Sequence, residues 1–201
     1  MDALGERDAL LSRRCGQLWP YQPLLGAVQL SADADVLDIG AGNGALLTLL
    51  RERGAAGRLV GLDPRAGPDV QLGRAEALPF PDGHFGAVFM VRSLLHSADP
   101  GRALAEARRV LRPDGTLIVA VQGAAHLAAF WSRYGPPSPG ADALTARQLA
   151  GWAFERLDTR LPVALSPQDA ATLARTYALP PPGGRDTLTD HLHLAVFKHR
   201  K

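Results

Sequence analysis

Residues 36–44 read Val-Leu-Asp-Ile-Gly-Ala-Gly-Asn-Gly, an apolar run that breaks into three glycines within five positions. Val36, Leu37 and Ile39 suit a strand buried on both faces of a parallel sheet. Gly40, Gly42 and Gly44 then remove side chains where the backbone must turn and meet a ligand closely. The residues from Ala45 to Arg51 have the composition of a helix leaving that turn. Strand, glycine turn and helix in this order form the first unit of a doubly wound α/β sheet, with a nucleotide-sized ligand expected at the turn.

Composition limits what else the chain can be. With 201 residues, 46% of them hydrophobic, it is long enough for one globular domain with an ample core. No apolar run approaches the roughly 20 residues of a membrane span, and the first residues lack a basic, apolar leader pattern. A cytoplasmic protein without membrane partners is therefore expected. Cys15 is the single cysteine, which excludes an internal disulfide and argues against a cysteine-ligated zinc. Lys plus Arg number 22 against 20 Asp plus Glu, too even a balance to mark an extended nucleic-acid surface. Arg108, Arg109 and Arg112, and the end Lys198-His-Arg-Lys201, read as solvated basic faces.

Strand and helix patterns alternate along the chain, as in a parallel sheet covered on both sides. Helices are expected over 8–18, stopped by Trp19-Pro20, and over 24–30. Strands are expected over 57–63, 70–73, 85–91 and 116–121. A helix over 102–111 places Ala103, Leu104, Ala107, Val110 and Leu111 on one face. Pro113-Asp-Gly115 reads as a turn before the fifth strand. In the last third, 136–140 and 180–184 are proline- and glycine-rich loops, 145–153 and 168–177 have helical patterns, and 154–163 and 190–199 read as strands. In the last of these, period-two spacing puts His191, His193 and His199 on one face, which strand alternation alone explains without a metal. The organisation expected is a single domain, with a helical cap over 1–30, a ligand-binding core over 31–121 and a substrate side with closing strands over 122–201.

Gly40, Gly42 and Ala45 also satisfy the looser dinucleotide fingerprint, so an NAD-binding oxidoreductase competes for the same turn. In either chemistry an acidic residue ending the second strand accepts hydrogen bonds from ribose hydroxyls, and Asp63 stands about 20 residues downstream.

The stretch from Ala75 to Ala120 separates the two. Ala75-Glu-Ala-Leu-Pro-Phe-Pro-Asp-Gly-His-Phe-Gly86 and Ala105-Glu-Ala-Arg-Arg-Val-Leu-Arg-Pro-Asp-Gly115 follow Asp38-Ile-Gly-Ala-Gly-Asn-Gly44 in order and spacing. Together these resemble the class I S-adenosylmethionine-dependent methyltransferases over roughly residues 30–122. The resemblance implies a doubly wound, mostly parallel seven-stranded sheet, S-adenosylmethionine as cofactor and methyl transfer as activity. It implies that Gly40 and Gly42 approach the methionine part, Asp38 holds its amino group and Asp63 takes the ribose hydroxyls, with Leu62 or Pro64 beside adenine. Ala41, Asn43, Gly44, Pro64, Ala75, Glu76, Ala77 and Val91 complete the cofactor-binding set it implies. Arg74 stands where the family often has an acceptor for the adenine amino group. A guanidinium only donates, so either Glu76 or a backbone carbonyl is expected there instead, or adenine is held less tightly. Gly86 replaces the family's usual aspartate.

At the end of the fourth strand, Arg92-Ser-Leu-Leu-His96 occupies the place that faces the reactive methyl. His96 is the candidate general base and Arg92 the candidate holder of an anionic or carbonyl-bearing acceptor; no metal is implied. The acceptor is expected to be a small molecule. Walls for it are sought in the N-terminal helix, the loops 122–142 and 179–186, and the aromatics Trp131, Tyr134 and Trp152. Gln122-Gly-Ala-Ala-His126 and the closing His-Leu-His-Leu strand also faintly resemble ribosomal RNA guanine-N1 methyltransferases, without their cysteine-ligated zinc module, which keeps RNA as an alternative acceptor. A cofactor-binding protein without transfer activity is the other alternative.

Overall fold

The computed structural model describes residues 3–65, 67, 69–135 and 140–201. Seven strands form one sheet in the order β3-β2-β1-β4-β5-β7-β6. They are β1 (Val36–Ile39), β2 (Leu59–Asp63), β3 (Val70–Leu72), β4 (Phe85–Val91), β5 (Leu111–Gln122), β6 (Glu155–Leu165) and β7 (Leu188–Arg200). The first five strands pair in parallel, while β7 runs antiparallel between β5 and β6. The chain steps from β1 outward to β3, then returns to place β4 on the other side of β1. That reversal opens the crevice at the carboxyl ends of β1 and β4 where such sheets bind ligands.

Two apolar layers cover the sheet. On one face α1 (Ala3–Cys15), α2 (Tyr21–Ala27), α3 (Ala45–Glu52) and α7 (Pro167–Thr176) pack residues such as Leu11, Leu24, Leu46 and Leu173 against Phe89, Ile118 and Leu194. On the other, α4 (Pro100–Val110) and α6 (Ala141–Gln148) cover Leu37, Val88, Val119 and Phe197. The expected face of α4 is buried as read, its start set by Asp99, whose side chain accepts from the Arg102 amide at 2.9 Å. Ser166 and Asp169 form a reciprocal capping box that begins α7.

Several element limits differ from the sequence reading. The first two helices start earlier, at Ala3 and Tyr21, and the helix expected over 145–153 is Ala141–Gln148. Pro113-Asp-Gly115 does not precede the fifth strand but lies inside it: Phe85 pairs with Leu111 and Ala87 with Thr116, so residues 112–115 bulge between two paired stretches. Of the loop 136–140, residues 136–139 lie outside the described residues. The basic clusters are corrected too. Arg109 donates to Glu106 at 2.7 Å, Asp82 at 2.7 Å, the Phe80 carbonyl at 2.8 Å and the Leu78 carbonyl at 3.0 Å. Arg112 pairs with Asp35 at 2.5 Å, and the Lys201 ammonium donates to the Arg108 and Leu111 carbonyls. Arg108 alone of that trio stays exposed.

Candidate cofactor and acceptor site

The glycine turn folds back on the ends of the neighbouring strands. The Gly40 and Ala41 amides donate to the Leu62 carbonyl at 2.7 and 3.1 Å. Gly40 has φ +79°, and a Cβ there would lie 2.3 Å from the Cβ of Ser93, whose hydroxyl donates to the Ile39 carbonyl at 2.6 Å. Close approach of the turn after β4 therefore demands glycine at 40. Gly42, at φ +56°, is different: a Cβ there would meet nothing within 4 Å, so this position borders open space. Asn43 and Gly44 begin α3, Asn43 Oδ1 accepting from the Ala45 amide at 3.2 Å.

Asp63 is buried at the end of β2 and tied to that turn. Its Oδ2 accepts from the Gly42 amide at 3.0 Å and its Oδ1 from the Arg65 amide at 2.9 Å. Each oxygen keeps a further lone pair for a hydroxyl donor. Pro64 beside it is exposed, whereas Leu62 is fully buried against Gly73, so of the two residues expected beside adenine only Pro64 is accessible. Ala75 and Ala77 flank the short turn in which the Ala77 amide donates to the Arg74 carbonyl at 3.2 Å. Glu76 is committed elsewhere: its Oε1 accepts from the Ala98 amide at 2.6 Å and the Asp99 amide at 3.3 Å, fastening the segment that leads into α4.

Asp38 is the outlier. It is 2% exposed, and its Oδ1 has no hydrogen-bond partner. Burial, reinforced by the charge of Asp63, pushes its carboxyl up to about 7. A buried carboxylate left unpaired is costly unless a cation joins it, and the ammonium of an amino-acid ligand supplies one. The orphaned Asp38 oxygen, the open side of Gly42 and the spare acceptor capacity of Asp63 together fit a nucleoside linked to an amino acid.

At the end of β4, Arg92 adopts φ +55°. Its guanidinium reaches Asp8 of α1 through two bonds, 2.8 and 2.5 Å. Arg92 is thus already paired with a carboxylate, and its Nε is buried without a partner. His96 lies exposed on the following 3-10 turn, Leu94–His96, while Val91 is buried in the strand.

The expected aromatic wall divides. Trp131 and Tyr134 pack on the α1/α7 face, Trp131 against Tyr177 at 4.6 Å, and the Tyr134 hydroxyl donates to the Pro180 carbonyl at 2.8 Å. Trp152 sits on the opposite face against His199, so it shares no pocket with the other two. The three histidines of β7 separate as well. His193 Nδ1 accepts from the Ala125 amide at 3.1 Å and its Nε2 meets Asp158 at 2.7 Å, whereas His191 is exposed. No group of three or more metal-ligating side chains occurs among the described residues.

The sequence reading missed Asp8, Trp19, Tyr21 and Tyr177, which long-range packing brings to the same crevice. His126 and Gln122 were noted only as part of a resemblance. His126 stacks on Trp19, ring centroids 5.4 Å apart, and its Nε2 lies 3.1 Å from the Gln122 amide nitrogen. Burial, then the charges of Arg92, His193 and Arg7, press His126 down to about 3, so it is neutral at physiological pH.

Residues 37–119 match the family model described as a methyltransferase domain. Over that stretch the chain is similar to the class I methyltransferases. It is 36% identical over 99 residues to the demethylmenaquinone methyltransferase of Thermus thermophilus, an alignment covering 42% of this chain and 45% of that protein. It is also 36% identical over 134 residues to an uncharacterized 37.1 kDa protein in a Streptomyces fradiae transposon, covering 59% of this chain and 37% of that one. The chain thus spans less than half the length of these curated relatives. In fold, the methyltransferase domain is similar to a SAM-dependent methyltransferase from Aquifex aeolicus, with TM-score 0.61, 15% identity, and coverage of 100% of this chain and 98% of that one. The family match and the SAM-dependent structural neighbours imply S-adenosylmethionine as the cofactor. No helix among the described residues is long and apolar enough to cross a membrane.

Proposed function

We propose that this protein transfers a methyl group from S-adenosylmethionine to a small-molecule acceptor. The observation that carries the reading is the buried, partnerless carboxylate of Asp38 at the mouth of the glycine turn. When bound, the cofactor supplies a methyl group on a positively charged sulfur. Asp38 holds the ammonium of its methionine part, Gly40, Ala41 and Gly42 let the backbone come close, and Asp63 accepts from the ribose hydroxyls. Asn43 and Gly44 shape the entry to α3, Ala75, Ala77 and Val91 would wall the cofactor, and Pro64 would lie beside adenine. Glu76, with its Oε1 taken, supports this wall from behind, and its Oε2 or a backbone carbonyl would accept from the adenine amino group.

Displacement at the methyl carbon asks for alignment and dryness more than for an elaborate catalytic set. The face closed by α1, α2 and α7 supplies both. Arg92 orients the acceptor, and His96, exposed on the turn above β4, accepts a proton where the acceptor carries one. A small molecule is favoured because the crevice is covered by the chain's own helices, and because matched relatives include quinone C-methyltransferases by name. Calorimetry with S-adenosylmethionine and S-adenosylhomocysteine, followed by a labelled-methyl assay over metabolite and RNA fractions, tests this. Label in a small-molecule fraction is expected. Label confined to RNA overturns the acceptor class, and tight cofactor binding with no labelled product overturns the activity.

A further inference from the structure

Among the described residues, seven buried side-chain polar atoms lack partners, and four of them belong to one neighbourhood: Trp19 Nε1, Asp38 Oδ1, Arg92 Nε and the Tyr177 hydroxyl. Native interiors seldom leave such groups unpaired, so a concentration of them marks where something else bonds. Asp38 is accounted for by the cofactor. The remaining three all carry hydrogens to donate, and Trp19 is fully buried. His126 stacked on Trp19, and Gln122 beside it, complete the enclosure.

Asp8 shows what this donor set wants. Its carboxylate comes from α1 and takes both terminal nitrogens of Arg92, the side-by-side geometry by which a guanidinium recognises two anionic oxygens. Around that contact α1 is fastened to α7 largely by polar contacts. Arg7 donates to the Thr176 carbonyl at 2.9 Å and lies 3.4 Å over the Tyr177 ring, Arg14 pairs with Asp169 at 2.9 Å, and Glu6 pairs with Arg175. Of its own residues α1 buries only Leu10 and Leu11 fully.

We propose that the donor cluster of Trp19, Arg92 and Tyr177, with Tyr21, Gln122 and His126 around it, is the acceptor site, that it takes a flat carboxylate, and that Asp8 occupies the acceptor's place on Arg92 until it arrives. The identification of this ligand as the methyl acceptor rests on the reading above; its binding does not. Flatness follows from the planar side chains grouped around the donors, Trp19, Tyr21, His126 and Tyr177, and the anionic oxygens from Arg92 and the indole and phenol hydrogens. An amine would leave those donors unpaired and repel Arg92.

The test is calorimetry with benzoate, its neutral relative benzamide and its cationic relative benzylamine, with and without S-adenosylhomocysteine. Melting curves confirm the fold of each variant. Benzoate is expected to bind at least about tenfold tighter than either relative, the scale of one charged hydrogen-bonding group. Asp8→Asn, which removes the competing charge but keeps its shape, tightens benzoate by about tenfold. Trp19→Phe and Tyr177→Phe, each deleting one donor, weaken it about threefold or more while S-adenosylhomocysteine affinity stays the same. Benzylamine binding as well as benzoate, or Asp8→Asn binding benzoate no better than the native protein, overturns the proposal. Should S-adenosylhomocysteine fail to bind while benzoate follows the stated order, the carboxylate site stands and the methyltransferase activity falls.

Discussion

A Cβ on Gly40 would lie 2.3 Å from the Cβ of Ser93, so the glycine turn and the segment leaving β4 occupy each other's closest allowed positions. This contact fixes the crevice, because Ser93 also donates to the Ile39 carbonyl just before the turn. Gly40→Ala adds both the clash and a side chain at φ +79°. It is expected to cost roughly 2 kcal/mol or more of folding stability, measured by urea unfolding, and to abolish measurable S-adenosylhomocysteine binding. Gly42→Ala, bordered by open space, is expected to fold with a smaller penalty yet bind the cofactor poorly.

Asp38 ties stability and cofactor binding to pH in opposite directions. Its folded carboxyl titrates at about 7 against an ordinary value of 3.8, so the folded state holds the proton more tightly than the unfolded chain does. Its contribution to stability is full below pH 3.8 and is lost as pH rises to about 7. In ligand-free protein Asp38→Asn removes that loss, raising stability at pH 8 by roughly 1–3 kcal/mol while changing little near pH 4. Only the ionised carboxylate pairs with an ammonium, so native affinity for S-adenosylhomocysteine is expected to rise from pH 6 to pH 8, and the variant's to stay low throughout. Affinity independent of pH in the native protein contradicts the assignment.

Asp63→Ala is expected to weaken S-adenosylhomocysteine binding by about 1 to 3 kcal/mol, the range for a charged hydrogen-bonding group. Because Asp63 also receives the Gly42 and Arg65 amides, part of the loss comes from a looser turn. Asp63→Asn separates the parts: one amide contact survives while the charge is gone. Calorimetry that finds both variants unchanged places the ribose elsewhere.

Local pattern points to the residues proposed for the cofactor, and long-range packing hid those proposed for the acceptor. Asp38, the three glycines and Asp63 are legible because strand, turn and strand end follow one another within about 30 residues, and each needs a particular residue type. The proposed acceptor side joins Asp8, Trp19, Arg92, His126 and Tyr177, residues far apart in sequence and brought together only by the docking of α1 and α7 on the sheet. Nothing in the spacing of Asp8 announces Arg92. Trp152 misled for the same reason, since an aromatic's place on one face of the sheet or the other depends on the path of the chain between β5 and β6. His193 paired with Asp158 across two strands, where no acidic neighbour in sequence foretold it.

Arg109 and Arg108 make a final comparison, since adjacent residues of one basic run behave differently. Arg109 binds two carboxylates and two backbone carbonyls, and so pins residues 78–82, the loop joining the cofactor wall to β4, onto α4. Those pairings hold its guanidinium protonated more firmly than usual, hydrogen bonds to Glu106 and Asp82 being the largest causes. Arg109→Met leaves the Leu78 and Phe80 carbonyls without this donor and Glu106 without its cation. It is expected to cost roughly 2–3 kcal/mol in urea unfolding. Arg108 is exposed and rests over the Trp152 ring at 5.5 Å; Arg108→Met is expected to cost within about 0.5 kcal/mol. Equal costs for the two would mean that the charge run acts as a solvated face after all, and that the loop is held by its apolar contacts, Leu78 and Phe80 against Phe85 and α4, rather than by the guanidinium.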